Sequence, residues 1–264
     1  MRVIEYKNNL NKQSFKDVID SSGVYEFVFQ KQTQDLTIRV KENLNVTLHL
    51  IFKETNVFNL KFQFKNSEIK IVNVCLDGAS KVNQFFDASK SNIKTLSCFN
   101  SKCDNFNLEV NLKDDSHIEV DNIIINKENM TQIYDFKINH LSPYTESNLR
   151  NYAIVDNDSK LVINNTGFID YDSKKAVINQ STTGIMLDLY SSIEANPILE
   201  INHHDVIANH GASIGALDDS DLFYLMSRGI PKEDSERIII EGYYRTILDK
   251  IEDKDLKQEI EKRL

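Results

Sequence analysis

The sequence predicts a mainly β chain: a β-solenoid that gives way to an α-helical segment at the C-terminal end. Three observations carry this. Apolar residues alternate with polar ones at period two from about residue 25 to residue 207, with no helical break. The strand segments recur at a spacing of about ten residues or a little more, which fits either a β-sandwich or a solenoid. Tight-hairpin chemistry is scarce, since Asp77-Gly78 is the one Asp-Gly or Asn-Gly pair, and antiparallel sandwiches use such turns repeatedly. The balance falls to the solenoid, although no strict repeat is visible. A solenoid stacks its rungs, needs its open ends covered and leaves long sheet faces for partners.

Taken in order, residues 12 to 22 (NKQSFKDVIDS) are expected to form a short helix. Phe15, Val18 and Ile19 share a face at helical spacing, and Gly23 ends it. Strands follow, marked by Leu36, Ile38 and Val40, then Val46, Leu48 and Leu50, then Phe58, Leu60, Phe62 and Phe64, then Ile69 and Ile71. Leu108, Val110 and Leu112, then Ile118 and Val120, continue the pattern. Lys53-Glu54-Thr55-Asn56 and Lys65-Asn66-Ser67-Glu68 are polar turns. Past residue 217 the period becomes helical. Asp218 or Asp219 can cap a helix through Leu222–Met226, Gly229 suits its left-handed C-terminal stop, and Pro231 suits the first turn of the next. There Ile239, Tyr243 and Ile247 share a face, with Ile240, Tyr244 and Ile251 beside it; Leu256, Ile260 and Leu264 mark a last, frayed helix. The expected organisation is a short N-terminal segment (1–24), a β-helix core (25–217) and a C-terminal helical domain (218–264).

The totals narrow the function. The chain has 264 residues, a net charge of -9 and a pI of about 5.2. An acidic surface disfavours nucleic acid and anionic membrane as partners. The N-terminal MRVIEYKNNLNKQ has no apolar signal region, and no apolar run is long enough to span a bilayer. The three cysteines, Cys75, Cys98 and Cys103, are an odd number in a chain without a signal, which points to a reducing, cytoplasmic setting. Cys98 and Cys103 could form half of a metal site, but the second pair is missing, so buried thiols in strands are the simpler reading.

Residues 203 to 214 (HHDVIANHGASI) gather three of the six histidines beside Asp205. If residues 198 to 207 form a strand, His203 and His204 point to opposite faces and cannot share a metal. His204 and His210 share parity, yet a continued strand would part them by about 20 Å at about 3.3 Å per residue. Only a turn could bring them together. The chain has no Gly-x-Ser-x-Gly elbow, P-loop, Gly-x-Gly-x-x-Gly or HExxH helix. Asp114-Asp115 and Asp218-Asp219 read as turn and cap residues rather than as a glycosidase couple.

The run Pro197-Ile198-Leu199-Glu200-Ile201, with Asp205-Val206, Asn209-His210-Gly211-Ala212-Ser213 and Gly215, is similar to the signature of the SufB/SufD family. Leu222-Phe223-Tyr224-Leu225-Met226-Ser227-Arg228-Gly229-Ile230 resembles the block that precedes the family's helical tail. His140 with Ser147 and the Phe168-Ile169 strand fit more loosely. The likeness is strong over 197–245, fair over 140–196 and architectural before that.

The resemblance implies the scaffold part of the SUF iron–sulfur cluster assembly system: a right-handed parallel β-helix with a C-terminal helical domain. It implies side-by-side assembly with a SufB-like partner and docking of a SufC-like ABC-type ATPase, with Phe223, Tyr224, Arg228 and Gly229 as docking candidates. ATP hydrolysis would belong to that ATPase. His210-Gly211-Ala212 is the SufD-type form of the signature, where SufB-type chains have His-Glu-Ala. The essential upstream Cys of SufB-type chains falls at Thr182. His210 is then the candidate for contact with iron or cluster, facing the partner's Cys, since imidazole is a competent iron ligand. Two departures stand out: Ala208 replaces a Cys common in SufD-type chains, and the chain is expected to start almost at the β-helix. His203 and His204 are kept as surface residues. The expectation is a cytoplasmic, non-catalytic SufD-like subunit with no cofactor held stably alone. Iron or a transient Fe–S cluster would meet it at the subunit interface, and the isolated chain could form a homodimer. The alternatives are a stand-alone β-helix protein acting on or binding polysaccharide, and a self-associating structural solenoid.

Overall fold

Period-two alternation becomes seventeen parallel strands. The structure, a computed structural model, describes residues 2–6, 14–29, 34–53 and 56–264. The strands are β1 (Arg2–Tyr6), β2 (Ser14–Ile19), β3 (Gly23–Phe29), β4 (Gln34–Val40), β5 (Asn45–Lys53), β6 (Val57–Lys65), β7 (Glu68–Gly78), β8 (Lys81–Ser89) and β9 (Asn92–Phe99). They continue as β10 (Asn105–Lys113), β11 (His117–Asn126), β12 (Thr131–His140), β13 (Glu146–Val155), β14 (Lys160–Ile169), β15 (Val177–Met186), β16 (Ser192–Ile201) and β17 (Ile207–Ala216). Odd-numbered strands build one nine-stranded sheet and even-numbered strands an eight-stranded sheet, each strand pairing in parallel with the one two before it and the one two after. The chain therefore coils as a parallel β-solenoid, each turn adding one strand to each sheet.

The expected apolar residues face the interior. In β6, Phe58, Leu60, Phe62 and Phe64 are buried and the residues between them are not. The first half of the interior is filled by rings, including the stacked pair Phe29–Phe52 (4.9 Å) and the tilted pair Phe99–Phe106 (4.6 Å). After Phe136 no aromatic ring joins the interior core among the described residues. The missing repeat has a plain cause. Ladder neighbours are 24 residues apart at Asn59–Asn83 but 32 apart at Asn164–Asn196, so the turns lengthen along the solenoid.

One expectation is corrected at the N-terminus. Within the expected 12–22 helix, Ser14–Ile19 is strand β2, parallel to β4; residues 12 and 13 lie outside the described residues. Ile19 is buried against the solenoid while its neighbour Val18 is half exposed, which is strand alternation and not a helical face. Of the two expected turns, Asn66 takes φ 48° between β6 and β7; Glu54 and Thr55 of the other lie outside the described residues. Asp114 and Asp115 are left-handed turn residues, as expected.

Helices α1 (Asp219–Ser227), α2 (Lys232–Leu248) and α3 (Lys254–Glu261) follow. The Asp218 carboxylate accepts from Ser220 N–H and caps α1, and Gly229 takes φ 88° past its end. Pro231 is the N-cap residue of α2, one place before its first turn. Ile240, Tyr244, Ile247, Leu248, Ile251, Leu256 and Ile260 pack on the outer face of the odd-strand sheet, against Ile51, Val72, Val74, Leu96, Cys98, Ile123 and Ile125. Ion pairs fasten this layer: Lys250 and Arg150 both reach the buried Asp121 (2.5 Å each), Arg263 reaches Asp77 (2.6 Å), and Lys70 meets Glu252. The helices thus lie along a flank of the solenoid.

A candidate site at the open end of the solenoid

The last turn is β16 and β17, and each is the edge of its sheet, with a neighbour on one side only. Such strands offer unpaired backbone N–H and C=O groups to another chain. The apolar residues here stay exposed: Ile198, Ile201, Ile207 and Ile214, with Leu189 and Tyr190 in the preceding turn. By register Ile201 and Ile214 take inward positions, next to Ile169 and Gly184, whereas Ile198 and Ile207 take outward ones, next to Thr166 and Val177.

His210 sits in this rung. It is the fourth residue of β17, and its register partner is Gln180 of β15. Register neighbours in a parallel pair project to the same side, and Gln180 is an inward, buried residue of β15. Inward placement of this side of β17 is confirmed by Ile214, which shares His210's parity. Its Cγ1 lies 3.2 Å from where a Cβ on Gly184 would be. His210 is exposed only because no further rung covers it.

The floor beneath is polar. Thr182 is buried, and its hydroxyl accepts from the Asn151 and Asn165 side-chain amides (3.2 Å each). Asn151 also donates to Asn165 (3.1 Å) and accepts from Asn122 (2.8 Å). In register the inward row runs Asn73, Ser97, Asn122, Asn151, Thr182, Ala212 and so ends at the open rung. Gly167 and Gly184 keep the passage narrow. A Cβ on Gly167 would stand 3.0 Å from Gln180 Nε2, and one on Gly184 would stand 2.8 Å from Ile193 Cδ1. The position expected to match the SufB-type Cys is therefore an interior hydroxyl one rung below the edge.

Other predicted residues separate from this site. Residues 198–207 are not one strand: β16 stops at Ile201 and β17 starts at Ile207, so His203 and His204 fall in a turn. Their rings stack (centroids 4.9 Å, 8° apart) instead of facing opposite ways, His203 Nδ1 accepts from Asp205 N–H (3.0 Å), and Asp205 pairs with Lys175 (2.8 Å). His210 lies inside β17, apart from that turn. Ala208 packs with Ile169, Ala176 and Ile178. The docking candidates lie on α1, which buries no residue: Phe223 is 74% and Tyr224 57% exposed, with the Arg228 guanidinium 5.3 Å over the Tyr224 ring and Gly229 closing the helix.

His140 is structural. It is fully buried, Nδ1 meets the Thr145 hydroxyl and Nε2 the Ser147 hydroxyl (2.8 Å each), and burial lowers its pKa to about 4 against the hydrogen bond from Thr145. Cys98 and Cys103 do not form a half-site. Cys98 packs beneath the helical layer, whereas Cys75 and Cys103 sit in the interior core, on the other face of the sheet. Among the described residues no three His, Cys, Asp or Glu side chains gather as a metal cluster. Sequence reading missed Gln180. Its signal was a polar residue at the inward parity of Ile178 and Thr182.

The comparisons with known proteins agree with this architecture. The family model described as SUF system FeS cluster assembly, SufBD core domain, matches residues 30–243. The chain is 29% identical over 147 residues to the iron-sulfur cluster assembly protein SufD of Bacillus subtilis, covering 56% of this chain and 34% of that protein. It is 33% identical over 135 residues to SufD of Plasmodium berghei (51% and 10% covered) and 27% identical over 123 residues to SufD of Escherichia coli (47% and 29% covered). The matched stretch thus spans about a third or less of those relatives' own length. The chain belongs to the SufB/SufD family of SUF-system iron–sulfur cluster assembly proteins, as a SufD-like member.

Proposed function

We propose that this chain is a non-catalytic scaffold subunit that pairs through its open rung with a SufB-like subunit. In this reading His210 presents an imidazole to iron or a nascent Fe–S cluster at the junction. One observation carries the proposal: the signature histidine occupies an inward position on an edge strand, at an end of the solenoid where no further rung covers it. A partner strand added to β16 or β17 would satisfy the edge, and a rung laid over the last one would cover Ile201 and Ile214. It would also enclose His210, so a ligand held there would be shared between two chains. Neutral imidazole nitrogen suits iron, and a thiolate from the partner would complete a mixed ligand set. The cluster is cargo here, not a resident cofactor.

Helix α1 and its C-cap, with Phe223, Tyr224 and Arg228 exposed and Gly229 following, are the docking candidate for a SufC-like ATPase. Exposed aromatics and Arg are the residue types that anchor protein interfaces. The test is co-purification of this chain with SufB-like and SufC-like proteins. Binding of neither sinks the partner assignment, and a homodimer that persists in their presence favours a self-associating solenoid. His210→Ala should leave folding and complex formation intact and reduce cluster assembly. Unchanged assembly removes His210 from the mechanism.

A further inference from the structure

Gln180 is the one amide among the described residues whose side-chain nitrogen and oxygen are both buried and both without a partner. Leaving such groups unpaired is costly, so their place in the fold calls for a reason. Gln180 is 4% exposed and lies one rung below His210, its register partner. Adjacent rungs are about 4.8 Å apart, within the reach of a Gln side chain. Toward the facing sheet the amide is hemmed in. Its Nε2 is 3.0 Å from the Cβ position of Gly167, and Ile178 Cδ1 (3.0 Å) and Leu199 Cδ2 (3.1 Å) fill the rest of that space. The side left uncovered by a further rung is the side of His210.

We propose that Gln180 is a positioning residue for His210, an inference that rests on the reading of His210 given above. A side-chain rotation of the uncovered His210 brings Nδ1–H to the unpaired Gln180 Oε1, and the bond so made leaves Nε2 as the unprotonated acceptor. The assignment of nitrogens follows from geometry. Nδ1 is bonded to Cγ and stays close to the backbone of β17, beside which Gln180 stands in register, while Nε2 is the distal nitrogen. A neutral imidazole has one donor and one acceptor, so fixing the donor fixes the acceptor. Metal-binding imidazoles are held in this way by a carbonyl on the other ring nitrogen. The glycine at 167 is part of the device, because any side chain there would displace the amide.

The test is the imidazole tautomer of His210 in the isolated, nitrogen-labelled chain, read by long-range nitrogen–proton correlation at a pH where the ring is neutral. His210→Asn supplies the assignment. The wild type should show the Nδ1–H form. Gln180→Met keeps the volume and removes the acceptor, so the signal should move to the Nε2–H form that imidazole prefers in water. Gln180→Glu keeps an acceptor oxygen and should retain the Nδ1–H form. Gln180→Met removes a buried amide whose Nε2 has no partner and should melt close to the wild type; Gln180→Leu is the second apolar variant should it not fold. A wild-type ring in the Nε2–H form overturns the proposal, as does an unchanged tautomer in a folded apolar variant. The measurement needs neither partner nor iron, so its failure is distinguishable from a failure of His210 in cluster assembly.

Discussion

The two halves of the solenoid solve the same packing problem with opposite chemistry. Up to β12 aromatic rings dominate the interior, with Phe62, Phe64 and Phe86 in mutual contact at 5.3 to 5.9 Å, beside a polar row at Asn73, Gln84, Ser97 and Asn122. From β13 onward it holds Asn151, Asn165, Gln180 and Thr182 around Gly167 and Gly184. Rings are the larger source of stability, because each removes a wide apolar area from water. A buried amide network contributes little net free energy but admits few arrangements, since each misplaced group costs a hydrogen bond. The aromatic half therefore holds the fold, and the polar half sets the geometry next to the open rung. That division can be broken experimentally.

The largest effect is expected in the aromatic half. Phe86→Ala removes a fully buried ring that meets Phe62 and Phe64 edge-on. It should cost about 3–5 kcal/mol in urea unfolding. A loss no greater than that of the amide variants below would dissolve the distinction between the halves.

Next comes a pH effect at the border of the two halves, at His140, the last residue of β12. His140 is buried neutral, with a pKa lowered to about 4, whereas an unfolded His titrates near 6.5, so the unfolded chain binds the extra proton first. Stability from this group is full above about pH 6.5 and falls as pH drops toward about 4, by about 3 kcal/mol at most. His140→Gln should flatten that limb of the stability–pH curve; an equal slope in the variant assigns the acid sensitivity elsewhere.

A smaller loss is expected at the centre of the amide network. Asn151→Leu leaves Asn122, Asn165 and Thr182 each short of one partner and should cost about 1–3 kcal/mol. Combined with Asn165→Leu, the loss should fall short of the sum, because the two amides share a bond and the Thr182 acceptor. Strict additivity would mean that the network is not a unit.

Much of this was legible because period two is a strong signal where only one face is buried. Phe58 to Phe64 placed β6 and its inward face directly. The outer helical layer was harder to see. Its mark is the unbroken burial of Ile123, Ile124 and Ile125, where the strand is covered on both faces. The 12–22 segment failed because Phe15, Val18 and Ile19 fit helical spacing, while tertiary pairing of β2 with β4 decided its state. The site divided the same way. The signature pointed to His210, but nothing local reveals that Gln180 lies beneath it. That depends on a 30-residue separation across a turn of variable length, which only the register supplies.

The smallest expected effect tests whether burial, rather than amide chemistry, separates the two halves. The outer face of the even-strand sheet carries its own amide ladder, in which Asn107 donates to Asn83 (2.8 Å), Asn83 to Asn59 (2.7 Å) and Asn59 to Asp35 (2.7 Å). These bonds are as short as the shortest of Asn151 or slightly shorter, but they stand on the outer face. Water can replace each lost partner there, so no group is left unpaired. Asn83→Ala should therefore cost about 0.5–1 kcal/mol in urea unfolding, well below Asn151→Leu, although both remove an Asn amide bonded on two sides. Equal losses at the two positions would mean that the ladder bonds themselves, and not the water-free setting of the interior, give the polar half its rigidity.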